Sequence, residues 1–293
     1  MTSRRYVQLD VFADRPGAGN PLAVVLDAEG LDDPAMQAIA RWTRLPETTF
    51  VFPARSAEAS YALRIFSPRR EVPFAGHPSV GTAHAVLEAG LASPRDGQLV
   101  QEGIAGLLPL RISGEGAARS IAVRTPRASI VDVADRAAHA ALDAALRGFP
   151  AGTLPPALVE GGRRWWLAEV ASEAQLRAAT PDWDAISALA GATDSMGVCA
   201  FAYAGAGADH DLAVRAFVGA PAAFEDAASG AANATLAAWL AARDALPGQR
   251  HRYTVSQGRE VGHDARLQLE VDEAGDVWSG GQVRSVVRGA LDW

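Results

Sequence analysis

Residues Ser79–Leu91 read SVGTAHAVLEAGL, and residues Ser229–Ala242 read SGAANATLAAWLAA. Both stretches are Ala-rich and almost entirely apolar. A helix with no polar face is a buried helix, so each predicts an element at the centre of its own core. Similar signals precede both. Tyr6–Phe12 alternates apolar and polar residues, and Leu22–Leu26 is a short apolar run after the turn signal Gly17–Pro21, so the chain opens as a hairpin. Asp32–Trp42 has apolar residues at helical spacing, while Thr48–Phe52 and Tyr61–Phe66 read as strands. Ahead of the second helix, Val198–Tyr203 and Leu212–Phe217 read as strands as well.

Setting Gly81 against Gly230, an offset of 149 residues, places His77 on Asp226, Ala83 on Ala232, Leu87 on Leu236 and Leu91 on Leu240. At an offset two residues larger, 151, Arg64-Ile65-Phe66 meets Arg215-Ala216-Phe217. Identities between Ala-rich stretches are weak, but the repeated order of strand, Phe, loop, polar residue, Gly and buried helix predicts a duplication. Each half would wrap strands around one buried helix. The loops Phe74–Gly81 and Phe224–Gly230 would then lead into the two helix N-termini. Unpaired backbone N–H groups and the helix dipole favour an anion there, and glycine allows close approach. A small carboxylate held between the halves is the expected ligand.

Composition narrows the chemistry. All 27 basic residues are arginine, against 34 acidic ones, for a net charge of −7. Without lysine there is no Schiff-base chemistry, no pyridoxal-phosphate anchor and no P-loop lysine. Cys199 is the single cysteine, which excludes an intrachain disulfide, a thiolate zinc site and a two-thiol racemase. The acidic balance and the lack of a basic run argue against nucleic-acid or anionic-membrane partners. MTSRRYVQLD at the N-terminus carries no apolar stretch of signal-peptide length, and nowhere do eighteen apolar residues run together, so the expectation is a cytoplasmic protein. No GxGxxG follows a strand, no GxSxG occurs, and no third ligand joins His77 and His84, so neither a nucleotide nor a metal site is expected.

Glu47, in RLPETTFVFP, sits among groups that solvate a carboxylate poorly. Desolvation raises a carboxyl pKa toward neutrality, which suits a group that both takes and gives a proton. The ordinary alternative is a strand-entry glutamate facing water. At the repeat offset its partner is Met196, so the second half offers no matching base, and one carboxylate predicts a proton shuttle on one face of a substrate. His77, in FAGHPSVG, reads as a loop residue that could hydrogen-bond a substrate oxygen or relay a proton; a histidine satisfied by backbone is the alternative. Asp226, in FEDAASG, could bind substrate or serve only as a helix-cap partner, and Asn20, in GAGNPLAVV, could be only a turn residue. Cys199, in GVCAFAY, reads as a buried, inert thiol.

DVFADRPGAGNPLAVVLD, LPETTF, RIFSPRREVPFAGHPSVGTA, EDAASGAA, SQGREVG and SGGQVRSVVRGAL occur in the order of the PhzF-like phenazine-biosynthesis isomerase family, which the chain resembles over essentially its whole length. The resemblance implies an α+β, diaminopimelate-epimerase-like fold: two pseudo-symmetric domains, each a β-barrel-like sheet wrapped around a central helix, with the active site between them. Expected boundaries are 1–127, completed by the C-terminal strand 282–293, and 128–281. The family's acid/base glutamate matches Glu47, and its substrate-polarising histidine and aspartate match His77 and Asp226. Gly76 and Gly230 match glycines that offer backbone donors to the substrate carboxylate. Asn20, Ser229 and Ala231 complete the expected substrate-binding set. Departures from the family pattern are Ser229-Gly230-Ala231 where Thr-Gly-Ser is common, Pro46 before Glu47, and His263 where arginine is common.

The resemblance thus implies a cofactor-independent isomerase of secondary metabolism that moves a proton within a small anionic metabolite, without metal and as a homodimer. Epimerisation or bond cleavage at the same site is a second reading. A catalytically silent ligand-binding homologue is a third.

Overall fold

The computed structural model describes residues 2–293. The chain forms two compact units, one built from residues up to Arg124 together with Gly280–Trp293, the other from Thr125–Ser279. In chain order the first contains β1 (Ser3–Val11), β2 (Asn20–Val25), α1 (Asp33–Thr43), β3 (Glu47–Phe52), β4 (Tyr61–Phe66), β5 (Glu71–Val72), α2 (Gly76–Glu88), β6 (Gln98–Gly103), β7 (Gly106–Ser113) and β8 (Ser120–Arg124). The second contains β9 (Ser129–Val131), α3 (Arg136–Ala145), β10 (Ala157–Glu160), β11 (Arg164–Glu169), α4 (Glu173–Ala178), α5 (Trp183–Thr193), β12 (Gly197–Tyr203), β13 (Leu212–Val218), β14 (Phe224–Asp226), α6 (Gly230–Ala241), β15 (Arg252–Gln257) and β16 (Ala265–Val271). A long last strand, β17 (Val277–Asp292), returns to the first unit.

The first unit is a closed barrel. β1 pairs antiparallel with β2, β2 parallel with β3, β3 antiparallel with β4, and β4 parallel with β6. β6, β7 and β8 continue antiparallel, β8 meets β17, and β17 pairs with β1 from Ser3↔Asp292 to Val11↔Val283. The closed sheet leaves no edge among these eight strands. α2 fills the inside, touching β1, β2, β3, β6 and β8, and every residue from Gly76 to Val86 is buried. Gly81 is required there, because a Cβ would lie 2.5 Å from Leu22 Cδ2 and 2.7 Å from Val11 Cγ2. α1 covers the outer face, where Met36 and Ile39 pack with Val25, Phe50 and Phe66. Its start is set by Asp32, whose carboxylate accepts from Ala35 N–H at 2.9 Å, and its end by Arg44 in the left-handed region.

The second unit repeats the pairing scheme. β10 and β11 are antiparallel, β11 and β12 parallel, β12 and β13 antiparallel, and β13 and β15 parallel, while β14 pairs onto β13 as β5 does onto β4. α6 packs against β9, β10, β11 and β16. The opposite face carries Phe149, Trp166, Leu176, Ile186, Leu189 and Phe217 beneath α3, α4 and α5.

The duplication is present, but its register differs from the expected one. Thr48 opposes Phe66 in the first unit and Val198 opposes Phe217 in the second, so Glu47 corresponds to Gly197, not Met196. The helices align by their first residues, Gly76 with Gly230, which places His77 on Ala231. Asp226 aligns with Val72, since each ends a short strand on the equivalent ladder. Alanine matches alanine in many registers, and the strand ladders decide among them. Among the described residues no helix is long and apolar enough to cross a membrane.

Candidate active site

Side chains alternate across a strand, and β3 sorts its residues accordingly. Phe50 joins the cluster beneath α1, whereas Thr49 Oγ1 accepts a 2.8 Å hydrogen bond from Thr82 Oγ1 of α2. Glu47, two residues before Thr49, therefore lies on the α2 face, at the first position of β3 and at the level of the first turn of the helix. Asn20 begins the neighbouring strand β2, opposite Val11, whose side chain also faces α2, and it is buried. Glu47 itself is only partly buried.

His77 is in the helix, not in a loop. α2 begins at Gly76, and Pro78 is tolerated in the first turn because its missing N–H would have had no intrahelical partner. The imidazole Nε2 lies 3.3 Å from Glu47 Oε2, with side-chain exposures of 9 % and 20 %. Burial pushes the His77 pKa down to about 3, so the ring is neutral at physiological pH and the contact is not an ion pair. Ala75, the cap position, makes no side-chain cap bond, and the first turn of α2 carries no acidic residue. The first backbone N–H groups of a helix have no intrahelical partner. Asn20, Glu47, Gly76 and His77 are thus gathered at one end of the first barrel.

The remaining predicted residues belong to the second unit. Asp226 ends β14 on the face of Ala216, and its Oδ1 accepts from Ala228 N–H at 3.1 Å. Ser229 is the N-cap of α6, its Oγ accepting from Ala232 N–H at 3.3 Å. Gly230 is buried at the first helical position, and Ala231 follows it, partly exposed. The position equivalent to Glu47 is Gly197, whose φ is +138° and whose Cβ would overlap the Phe217 carbonyl oxygen. No side chain can occupy it, so the second unit has no counterpart base there.

Sequence reasoning assigned no role to Gln257 and Asn233, which are fully buried behind the Asp226–Ser229 loop. The only available signal was the SQGREVG stretch around Gln257, in which a strand glutamine looks unremarkable. Cys199 is completely buried and its thiol is pushed up to about 12, which makes it inert as a nucleophile. Among the described residues no group of three or more His, Cys, Asp or Glu side chains could hold a metal ion.

Comparison with known proteins identifies relatives of the chain in sequence and in fold. Residues 9–288 match the model of the phenazine biosynthesis-like protein family. Antisense-enhancing sequence 1 of Schizosaccharomyces pombe is 31 % identical, covering 99 % of each chain. Trans-2,3-dihydro-3-hydroxyanthranilate isomerase of Pseudomonas aeruginosa is 33 % identical, covering 93 % of this chain and 92 % of that one. A phenazine biosynthesis protein of the PhzF family from Bacillus anthracis has the same fold, with a TM-score of 0.84 at 24 % identity over all of both chains. A barrel wrapped around a buried helix, repeated once, and a full-length match in sequence place the chain in the phenazine biosynthesis-like family, as one of its isomerases.

Proposed function

We propose that the protein moves a proton between two carbons of a small, carboxylate-bearing substrate, with Glu47 as the only acid/base and without a cofactor. The observation that carries this reading is the Glu47 carboxylate, 3.3 Å from a neutral, buried His77. The carboxylate takes a proton from an activated C–H bond, which leaves a delocalised anion on the substrate. The resulting carboxylic acid then returns the proton to a different carbon. One C–H bond breaks, another forms, and no electron leaves the substrate. A neutral imidazole next to the carboxylate can donate a hydrogen bond to a substrate oxygen, and the N–H groups at the start of α2 suit the substrate carboxylate. Asp226, Ser229, Gly230, Ala231 and Asn20 enter the proposal as substrate-binding groups by family resemblance. Homodimer formation is proposed on the same ground.

The Pseudomonas aeruginosa relative makes trans-2,3-dihydro-3-hydroxyanthranilate the substrate to try first. Replacing Glu47 by Gln should lower kcat on it by about 10²- to 10⁴-fold, the usual contribution of a positioned proton-transfer group. The thermal transition should be unchanged. Asp226→Asn should act mainly on KM. A Glu47→Gln enzyme with wild-type kcat would end the reading.

A further inference from the structure

The loop Asp226–Ser229, which carries the proposed substrate-binding aspartate into α6, is held from behind by one side chain. Gln257, the last residue of β15, is fully buried. Its Oε1 accepts from Ser229 N–H at 3.2 Å and from Asn233 Nδ2 at 2.8 Å, while its Nε2 donates to the Asp226 carbonyl at 2.8 Å. A single amide therefore grips both ends of the four-residue loop and the second turn of the helix. Asn233 reinforces the grip by donating to the Ser229 carbonyl at 2.8 Å. The next residue, Gly258, has φ +92°, and any Cβ there would overlap the Ala227 carbonyl, so the end of β15 is pressed against the loop.

We infer that Gln257 is a positioning residue: it fixes where Asp226 presents its carboxylate and thereby sets substrate affinity. The inference rests on the proposed role of Asp226. The bond pattern needs both ends of the amide, since two donors meet Oε1 and one acceptor meets Nε2. Glutamate in its place would keep the acceptor and set a carboxylate oxygen against the Asp226 carbonyl. Methionine, of similar shape, would remove all three bonds, and buried polar groups left without partners are costly.

The test compares Gln257→Met, Gln257→Glu and Asp226→Asn in the full-length protein, with trans-2,3-dihydro-3-hydroxyanthranilate as probe. Gln257→Met should raise KM at least tenfold while kcat stays within about threefold, the same signature as Asp226→Asn, and Gln257→Glu should fall between it and the wild type. Independently of any substrate, amide hydrogen exchange at Ser229 should accelerate at least tenfold in Gln257→Met while the amides of β16 keep their protection. If burial of the methionine prevents folding, Gln257→Glu carries the same two readouts. Asp226→Asn raising KM while both Gln257 variants keep wild-type KM would overturn this inference and leave the Asp226 reading standing. Asp226→Asn with wild-type KM would remove that reading and this inference with it. Unchanged exchange at Ser229 would overturn the positioning role whatever the kinetics show.

Discussion

His77 is neutral because it is buried, and this has a measurable cost. Its pKa is pushed down to about 3 in the folded protein, against 6.5 for a free histidine. Below pH 6.5 the unfolded chain binds a proton that the folded chain refuses, so stability falls as pH drops toward 3. The loss attributable to this one group is about 2 kcal/mol by pH 5. His84, also lowered by burial, adds a loss of the same sign. Urea denaturation of wild type and His77→Gln at pH 7 and pH 5 should show the variant losing less stability over that interval; equal losses would mean that His77 is not buried neutral. Glu47 was legible in the sequence because it interrupts an apolar stretch. The place of His77 was not, because Gly-His-Pro reads as a loop and only the barrel shows the proline inside a first helical turn.

At the scale of elements, the short strands that lead toward the central helices are pinned in the same way in both units. Arg64 makes a bidentate pair with Glu71 at 2.6 and 2.7 Å, with its guanidinium 5.1 Å from the Phe66 ring centre. Arg215 pairs with Glu225 at 2.9 and 2.8 Å, lies 4.9 Å from the Phe217 ring centre, and also donates to the Leu176 and Ala179 carbonyls. The Arg215 pair is almost wholly buried, at 5 % and 4 % side-chain exposure. Arg215→Met should therefore destabilise the protein by about 3–5 kcal/mol, because it strands a buried carboxylate. The exposed pair Arg5–Asp27 sets the contrast, at 50 % and 43 % exposure: Arg5→Met should cost no more than about 1 kcal/mol. Denaturant titration of both variants checks this, and similar costs would contradict it. The Arg-x-Phe repeat was visible in the sequence. The glutamates that complete it were not, because they sit at unequal distances along the chain and only strand pairing brings them into place.

For the whole molecule, the closure of the first barrel depends on the last strand. β17 pairs along the full length of β1, and without it β1 and β8 would become exposed edges. A chain ending at Ser279 should lose cooperative unfolding of the first unit by circular dichroism or calorimetry; retention of the full thermal transition would contradict the closed-barrel account. Two buried, Ala-rich helices made the duplicated fold legible from sequence, and the ladders supplied the register that alanine could not. Corrected in this way, the register sharpens the functional claim, since Gly197 stands where a second Glu47 would be and has no room for a side chain. The most direct measurement is deuterium incorporation during turnover of trans-2,3-dihydro-3-hydroxyanthranilate in deuterium oxide. Wild type should carry substrate hydrogen to the carbon that receives the proton, with solvent deuterium entering only as far as the Glu47 carboxyl exchanges before it returns the proton, and Glu47→Gln should form product at least a hundredfold more slowly. Product formed by Glu47→Gln at the wild-type rate would show that another group carries the proton.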